Sequence, residues 1–164
     1  PNNHAYYLMN NINSLILSGE SAPIHEVNEE FIGLTQSNIL LYLKFFCSNV
    51  HGGAGRFLII ENADEIEWNE SPDEMFLKDL RSQILPPRIK SYAEDNGDSL
   101  WKIDAEIVYE NAIFTTTMAI SGIRGNVEME EDNPIACDLP VITDLTRLKY
   151  IGTFDENGNF YPLR

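Results

Sequence analysis

The chain has 164 residues, 43% of them hydrophobic, and its 26 acidic and 11 basic residues give a formal net charge of −15 at pH 7. This length and composition predict a single globular domain over residues 1–164 and argue against disorder. The acidic balance argues against a surface that binds nucleic-acid phosphates, and no apolar run is long enough for a membrane span.

The cysteines and histidines form no metal-binding pattern. Cys47 and Cys137 lie far apart in the sequence, and none of the three histidines completes a zinc spacing with them: His4, His25 and His51. We therefore expect no metal and no cofactor. Two free thiols are typical of a reducing compartment, so the expected location is the cytoplasm.

The N-terminal part is predicted to contain two helices. Asn3 is a suitable N-cap, and apolar residues then recur at spacings of three and four up to Gly19. This pattern predicts a helix over residues 3–18. A second, shorter helix is predicted over 27–34, with two glutamates in its first turn.

The densest apolar stretch surrounds the only glycine cluster, which lies within residues 51–56. The run 57–60 after the cluster is short and rich in β-branched residues, which indicates a buried strand. The run 39–47 before it fits either a buried strand or a helix. We favour a hairpin with strands near 40–49 and 56–62, because glycines form tight turns easily; a helix that ends at Asn49 is the alternative.

The segment 61–74 has the highest local density of charge. It carries seven acids and no base, and these acids are Glu61, Asp64, Glu65, Glu67, Glu70, Asp73 and Glu74. The sequence Ser71-Pro72-Asp73-Glu74 is typical of a helix start, so a helix is predicted over 72–83, with Met75, Phe76, Leu80 and Ile84 facing inward. The other five acids repel one another unless a cation or a basic partner is near.

The C-terminal half is predicted to consist of strands. A weak strand at 88–92 precedes three strands at 100–110, 112–120 and 127–130, which short turns join into an antiparallel meander. Residues 133–140 are predicted to form a loop, and 145–150 are ambiguous. Residues 151–162 are predicted to form a hairpin around Asn157-Gly158.

This order of elements predicts an α+β fold. We expect a curved antiparallel sheet, built from the hairpin and the meander, with two or three helices packed on one face. The order resembles that of the NTF2-like or cystatin-like cone as an analogy of architecture. No residue pattern in the chain points to a family.

Two sets of residues have side chains of the types used in catalysis. Cys47 and His51 are of the types of a nucleophile and its base. On a strand and loop they lie too far apart, whereas on a helix they would share a face; a buried structural cysteine is the favoured interpretation. Asp104, Glu106 and Glu110 share one face of a predicted strand. Paired carboxylates perform acid–base chemistry only when their environments separate their pKa values, and we expect this face to be solvated.

The leading hypothesis is an acidic protein-interaction domain, regulatory or inhibitory and without catalysis, that binds a basic protein. Its predicted contact residues are Asp64, Glu65 and Glu67. The alternative is a small-molecule-binding or hydrolytic pocket near the glycine-rich loop 51–56, with His51, Arg56 and Trp68 beside it. Seven aromatic residues could line a pocket or an interface, although most are expected to lie in the core: Tyr6, Tyr7, Trp68, Tyr92, Trp101, Tyr109 and Tyr150.

Overall fold

A computed structural model of the chain describes residues 6–9, 14–29, 33–143, 152–154 and 160–162. At its start, strands β1 (Tyr6–Met9) and β2 (Ser14–Leu17) pair antiparallel, with Met9 opposite Ser14. The helix predicted over 3–18 is therefore wrong. Tyrosine and isoleucine favour strands and asparagine is a poor helix former, so these local preferences outweigh the helical spacing of the apolar residues.

The next two helices differ from the predictions. Helix α1 (Ala22–Val27) has a proline in its first turn and lies before the helix predicted over 27–34, part of which falls outside the described residues. Helix α2 (Ile39–Asn49) replaces the first strand of the favoured hairpin, so the helical alternative is correct. Most of its side chains are buried, and a helix that is covered on several sides is apolar without a clear period.

The glycine-rich segment forms a small hairpin of its own. Strand β3 (His51–Gly52) pairs with strand β4 (Gly55–Arg56), and strand β5 (Leu58–Ile60) follows. A short 3-10 helix (Ala63–Glu65) leads towards helix α3 (Glu74–Gln83). The carboxylate of Asp73, rather than Ser71, caps α3 by accepting hydrogen bonds from the backbone N–H groups of Met75 and Phe76.

Helix α3 confirms the prediction over 72–83, although it begins two positions later. Leu80 and Ile84 are buried as expected, whereas Met75 is 79% exposed and does not face the core. Met75 lies five positions before Leu80 and hence about 140° away around the helix axis, whereas Phe76 lies four positions before Leu80, on the same side, and packs against that cluster.

The main sheet contains β5 and four longer strands: β6 (Arg88–Asp95), β7 (Asp98–Tyr109), β8 (Ala112–Ser121) and β9 (Val127–Ala136). All neighbours pair antiparallel in the order β5-β7-β8-β9, and β6 pairs with β7 on the same side as β5. The predicted meander is confirmed. Strand β9 extends into the predicted loop at 133–140, and Pro134 is tolerated because this strand lies at the edge of the sheet.

The predicted C-terminal hairpin is confirmed in its strands. Strand β10 (Gly152–Phe154) pairs antiparallel with strand β11 (Phe160–Pro162). The turn at Asn157-Gly158 and the ambiguous segment 145–150 lie outside the described residues.

The core has two clusters on opposite faces of the sheet. Ile103, Ala105 and Ile107 of β7 pack in one cluster with α2, whereas Val108, the next residue, packs in the other with residues of α3. The α+β class and the antiparallel sheet are confirmed: α1 and α2 contribute to the same cluster, and α3 packs on the opposite face. The central strands β7 and β8 are apolar on both faces near the turn that joins them, so each face of the sheet needs a covering helix. The cone analogy stays a prediction.

No helix among the described residues is long and apolar enough to cross a membrane.

Candidate functional site

The structure places Cys47 and His51 in different environments. Cys47 is 2% exposed on α2, and burial raises the pKa of its thiol to about 12. His51 is exposed on β3, and its Nε2 accepts a hydrogen bond of 2.9 Å from Nε of Arg56. Desolvation and, second, the charge of Arg56 lower the pKa of His51. A buried thiol with a raised pKa and an imidazole that is hydrogen-bonded to Arg56 do not have the properties of an activated nucleophile and its base.

The glycine-rich loop is packed against aromatic rings. A Cβ atom on Gly52 would lie 2.7 Å from the hydroxyl of Tyr109, which also accepts a hydrogen bond of 2.8 Å from the backbone N–H of Ala54. The Tyr109 ring stacks on Phe57 with centroids 4.4 Å apart. A close approach to Tyr109 thus explains Gly52. The predicted pocket near 51–56 stays a prediction.

Cations from two helices compensate the acids of segment 61–74. Lys44 of α2 forms an ion pair with Glu61. Arg81 of α3 lies 3.0 Å from Asp64 and 3.4 Å from Glu74, measured from guanidinium nitrogen to carboxylate oxygen. The exposed pairs of Arg81 contribute little to stability, and Lys44 and Arg81 together supply part of the counter-charge that segment 61–74 itself lacks.

Glu65 and Trp68 have structural roles in the same region. The Glu65 carboxylate accepts hydrogen bonds from the backbone N–H of Glu61 and from the amide of Asn62, which holds the 3-10 turn. Trp68 is half-buried, forms a bridge with Val141 and meets Phe76 edge-on at 6.1 Å between centroids. The backbone carbonyl of Glu67 accepts a hydrogen bond from Ile142. Of the predicted contact residues in 61–74, Asp64 is thus the exposed one, and it is paired.

One face of the sheet carries a charged network that sequence reasoning did not identify. Asp104 accepts a hydrogen bond of 2.9 Å from Thr117 and pairs with Arg88 at 3.3 Å and with Lys90 at 3.4 Å. The expectation of a solvated carboxylate face is wrong for Glu106, which is only 2% exposed. Desolvation raises the pKa of its carboxyl group, and the backbone N–H of Leu85, between α3 and β6, opposes that rise in part.

Strand β9 is a second acidic segment, and its acids are only partly paired with cations. It contains four acids and no base: Glu128, Glu130, Glu131 and Asp132. Glu130 pairs with Lys102 at 2.7 Å and Glu131 with Lys90 at 3.7 Å, whereas Glu128 and Asp132 are exposed and make no ion pair in the described structure. The sequence could have indicated these acids as candidates. They lie on or directly after the last predicted strand of a meander, and such a strand lies at an edge of the sheet.

In the part of the chain that the structure describes, no group of three or more histidine, cysteine or acidic side chains has a geometry that could hold a metal ion. Comparisons of the chain with family models, with curated proteins and with solved structures gave no match. Function therefore has to be inferred from the surfaces and cavities of this chain.

Proposed function

We propose that this chain is a protein-interaction domain without catalysis, regulatory or inhibitory in kind, which binds a basic segment of its partner along β9. The observation that carries the proposal is the outer side of β9. In the described residues no strand pairs with that side, so a ten-residue strand leaves backbone N–H and C=O groups unpaired. Such an edge is a template for the addition of a further strand.

The charge of β9 selects the kind of strand that can be added. The four acids of β9 repel an identical acidic strand and so disfavour pairing with a second copy of the chain. The register shift next to Glu130 and Pro134 limit the length of any added strand. A lysine- or arginine-rich extended segment meets no charge repulsion. Glu128 and Asp132 offer it carboxylates that no cation of the described structure occupies.

The test uses a synthetic peptide that alternates lysine and valine, with a glutamate–valine peptide as the control. We expect the basic peptide to shift the backbone amide signals of β9 in an NMR titration and to protect them from hydrogen exchange. The association rate should fall steeply as salt is added, because complementary charges steer the encounter.

Two double variants separate β9 from segment 61–74. Glu128→Gln with Asp132→Asn should weaken binding several-fold, since each exposed ion pair contributes about 0.2–1 kcal/mol. Asp64→Asn with Glu67→Gln should leave the affinity unchanged; Glu65 is not substituted, because its carboxylate holds the 3-10 turn. If the second pair weakens binding instead, or if the glutamate peptide binds equally well, β9 is not the interaction surface.

A further inference from the structure

The backbone groups on the outer side of β9, which no described strand pairs with, can be assigned residue by residue. The carbonyl of Asn126 accepts a hydrogen bond of 3.1 Å from the backbone N–H of Ser121 on β8. In an antiparallel strand the N–H and C=O of one residue point to the same side, and that side alternates along the strand. Asn126 and Glu128 therefore point towards β8, whereas Val127 and Met129 point to the outer side.

A β-bulge at Glu130 shifts this alternation. Two consecutive residues of β8 lie opposite Met129 and Glu131, so Glu130 is the extra residue. The carbonyl of Glu131 points towards β8, because it accepts a hydrogen bond of 2.7 Å from the hydroxyl of Thr116. Asp132 is thus the next residue whose backbone groups point to the outer side.

The bulge also places the two acids of β9 that make no ion pair in the described structure on opposite faces of the sheet. Glu128 lies opposite Ala119, and Asp132 lies opposite Thr116. These two partners are three positions apart on β8, and side chains an odd number of positions apart in a strand point to opposite faces. Glu128 therefore shares its face with Lys102 of β7, whereas Asp132 lies on the face of the first core cluster.

A strand that adds to the outer side has to follow the same offset. It runs beside β9 as β8 does on the inner side, so if one of its residues meets Glu128, the residue three positions away meets Asp132. An ordinary amphipathic strand, with basic residues at every second position, meets only one of the two acids. Between them the added strand meets Met129, which is 41% exposed and favours an apolar neighbour.

These positions define the pattern of the partner, provided that β9 is the interaction surface proposed above. We infer that β9 selects an extended segment whose two basic residues are three positions apart and point to opposite faces, with apolar residues opposite Val127 and Met129. All neighbouring strands of the sheet are antiparallel, so the segment is antiparallel to β9. Its order is then basic, any residue, apolar, basic, apolar. Pro134 has no N–H and limits the pairing beyond Asp132.

Two peptides of identical composition test the spacing. Both have threonine-rich flanks; the centre of the first is Lys-Ser-Val-Lys-Val, and the centre of the second is Ser-Val-Lys-Val-Lys, with lysines two positions apart. The first should bind about two- to fivefold more tightly, which is the effect of one additional exposed ion pair. Hydrogen exchange should show new protection of the Val127 and Met129 amides, whereas the Glu128 amide, which points to β8, should change little.

Single-acid variants assign each lysine of the first peptide to its acid. Glu128→Gln should weaken binding of this peptide but not of a version with glutamine in place of the second lysine. Asp132→Asn should be coupled in the same way to the first lysine. The two crossed combinations should be additive, because those groups do not meet.

The outcomes separate this inference from the proposed function. Equal binding of the two peptides, with shifts of the β9 amide signals in both titrations, would overturn the spacing and leave the proposed function intact. Tighter binding of the second peptide, or coupling of either acid to the wrong lysine, would overturn the spacing as well. If neither peptide shifts the β9 signals at millimolar concentration, the proposed function fails and the spacing fails with it.

Discussion

The substitution Glu106→Gln is expected to stabilise the folded chain near neutral pH. Glu106 is 2% exposed on β7, and its Oε2 has no hydrogen-bond partner in the described structure. Desolvation raises the pKa of this carboxyl group above its ordinary value, and the charge of Arg88 and the backbone N–H of Leu85 oppose that rise only in part. The ionised side chain is therefore more favourable in the unfolded chain than in the folded one.

The sign of the pH dependence follows from this shift. Below the ordinary pKa of about 4.3 the carboxyl group is neutral in both the folded and the unfolded chain, so its ionisation does not lower the free energy of unfolding. As the pH rises through that value, the unfolded chain loses the proton first, so it binds fewer protons than the folded chain. The free energy of unfolding then falls with rising pH until the folded carboxyl group also ionises.

The expected gain in the free energy of unfolding is on the order of 1 kcal/mol. It corresponds to the difference in burial cost between an ionised and a neutral polar group when one of its oxygen atoms has no hydrogen-bond partner. Glutamine keeps the shape and the acceptor for the Leu85 N–H but carries no charge. Such a gain would raise the melting temperature by about 2–4 °C for a domain of this size.

Urea unfolding at a series of pH values between acid and neutral measures this effect. The wild type and Glu106→Gln should converge in stability at acid pH and separate as the pH rises. Glu110→Gln is the matched control, because Glu110 is exposed at the turn after β7 and its change should stay within about 0.5 kcal/mol. A Glu106→Gln protein that is no more stable than the wild type near neutral pH, with the same pH slope, would refute the reasoning.

Two further predictions concern the first core cluster. Cys47 should resist a thiol reagent in the native state and react only on unfolding, since it is buried and its pKa is raised to about 12, whereas the exposed Cys137 should react at once; mass spectrometry of the labelled chain distinguishes the two. Tyr42→Phe should cost about 1–3 kcal/mol in urea unfolding, because the Tyr42 hydroxyl donates a 2.6 Å hydrogen bond to the carbonyl of Gly125, which would be left unsatisfied in a buried position. An unchanged stability would show that water reaches that carbonyl.

The meander could be predicted from the sequence because each of its strands is long enough to show its own period. Strand β7 alternates through Ile103, Ala105 and Ile107, all buried in one cluster. Strands β1 and β2 are only four residues each, too short to reveal a period of two, and their apolar residues coincide with helical spacing. Helix α2 was ambiguous for the opposite reason, since burial on several sides removes the periodicity that identifies a helix.

The candidate sites could be predicted less well, because charge is counted along the chain but compensated in space. Segment 61–74 has no base of its own, yet Lys44 and Arg81 reach it from two helices that the sequence places on either side. On β9 the cations come from Lys90 of β6 and Lys102 of β7, which pair with Glu131 and Glu130 respectively. An exposed acid is thus a stronger candidate docking residue when no cation of the described structure pairs with it. By that criterion Glu128 and Asp132 are stronger candidates than Asp64, which Arg81 pairs, and the two double variants compare them directly.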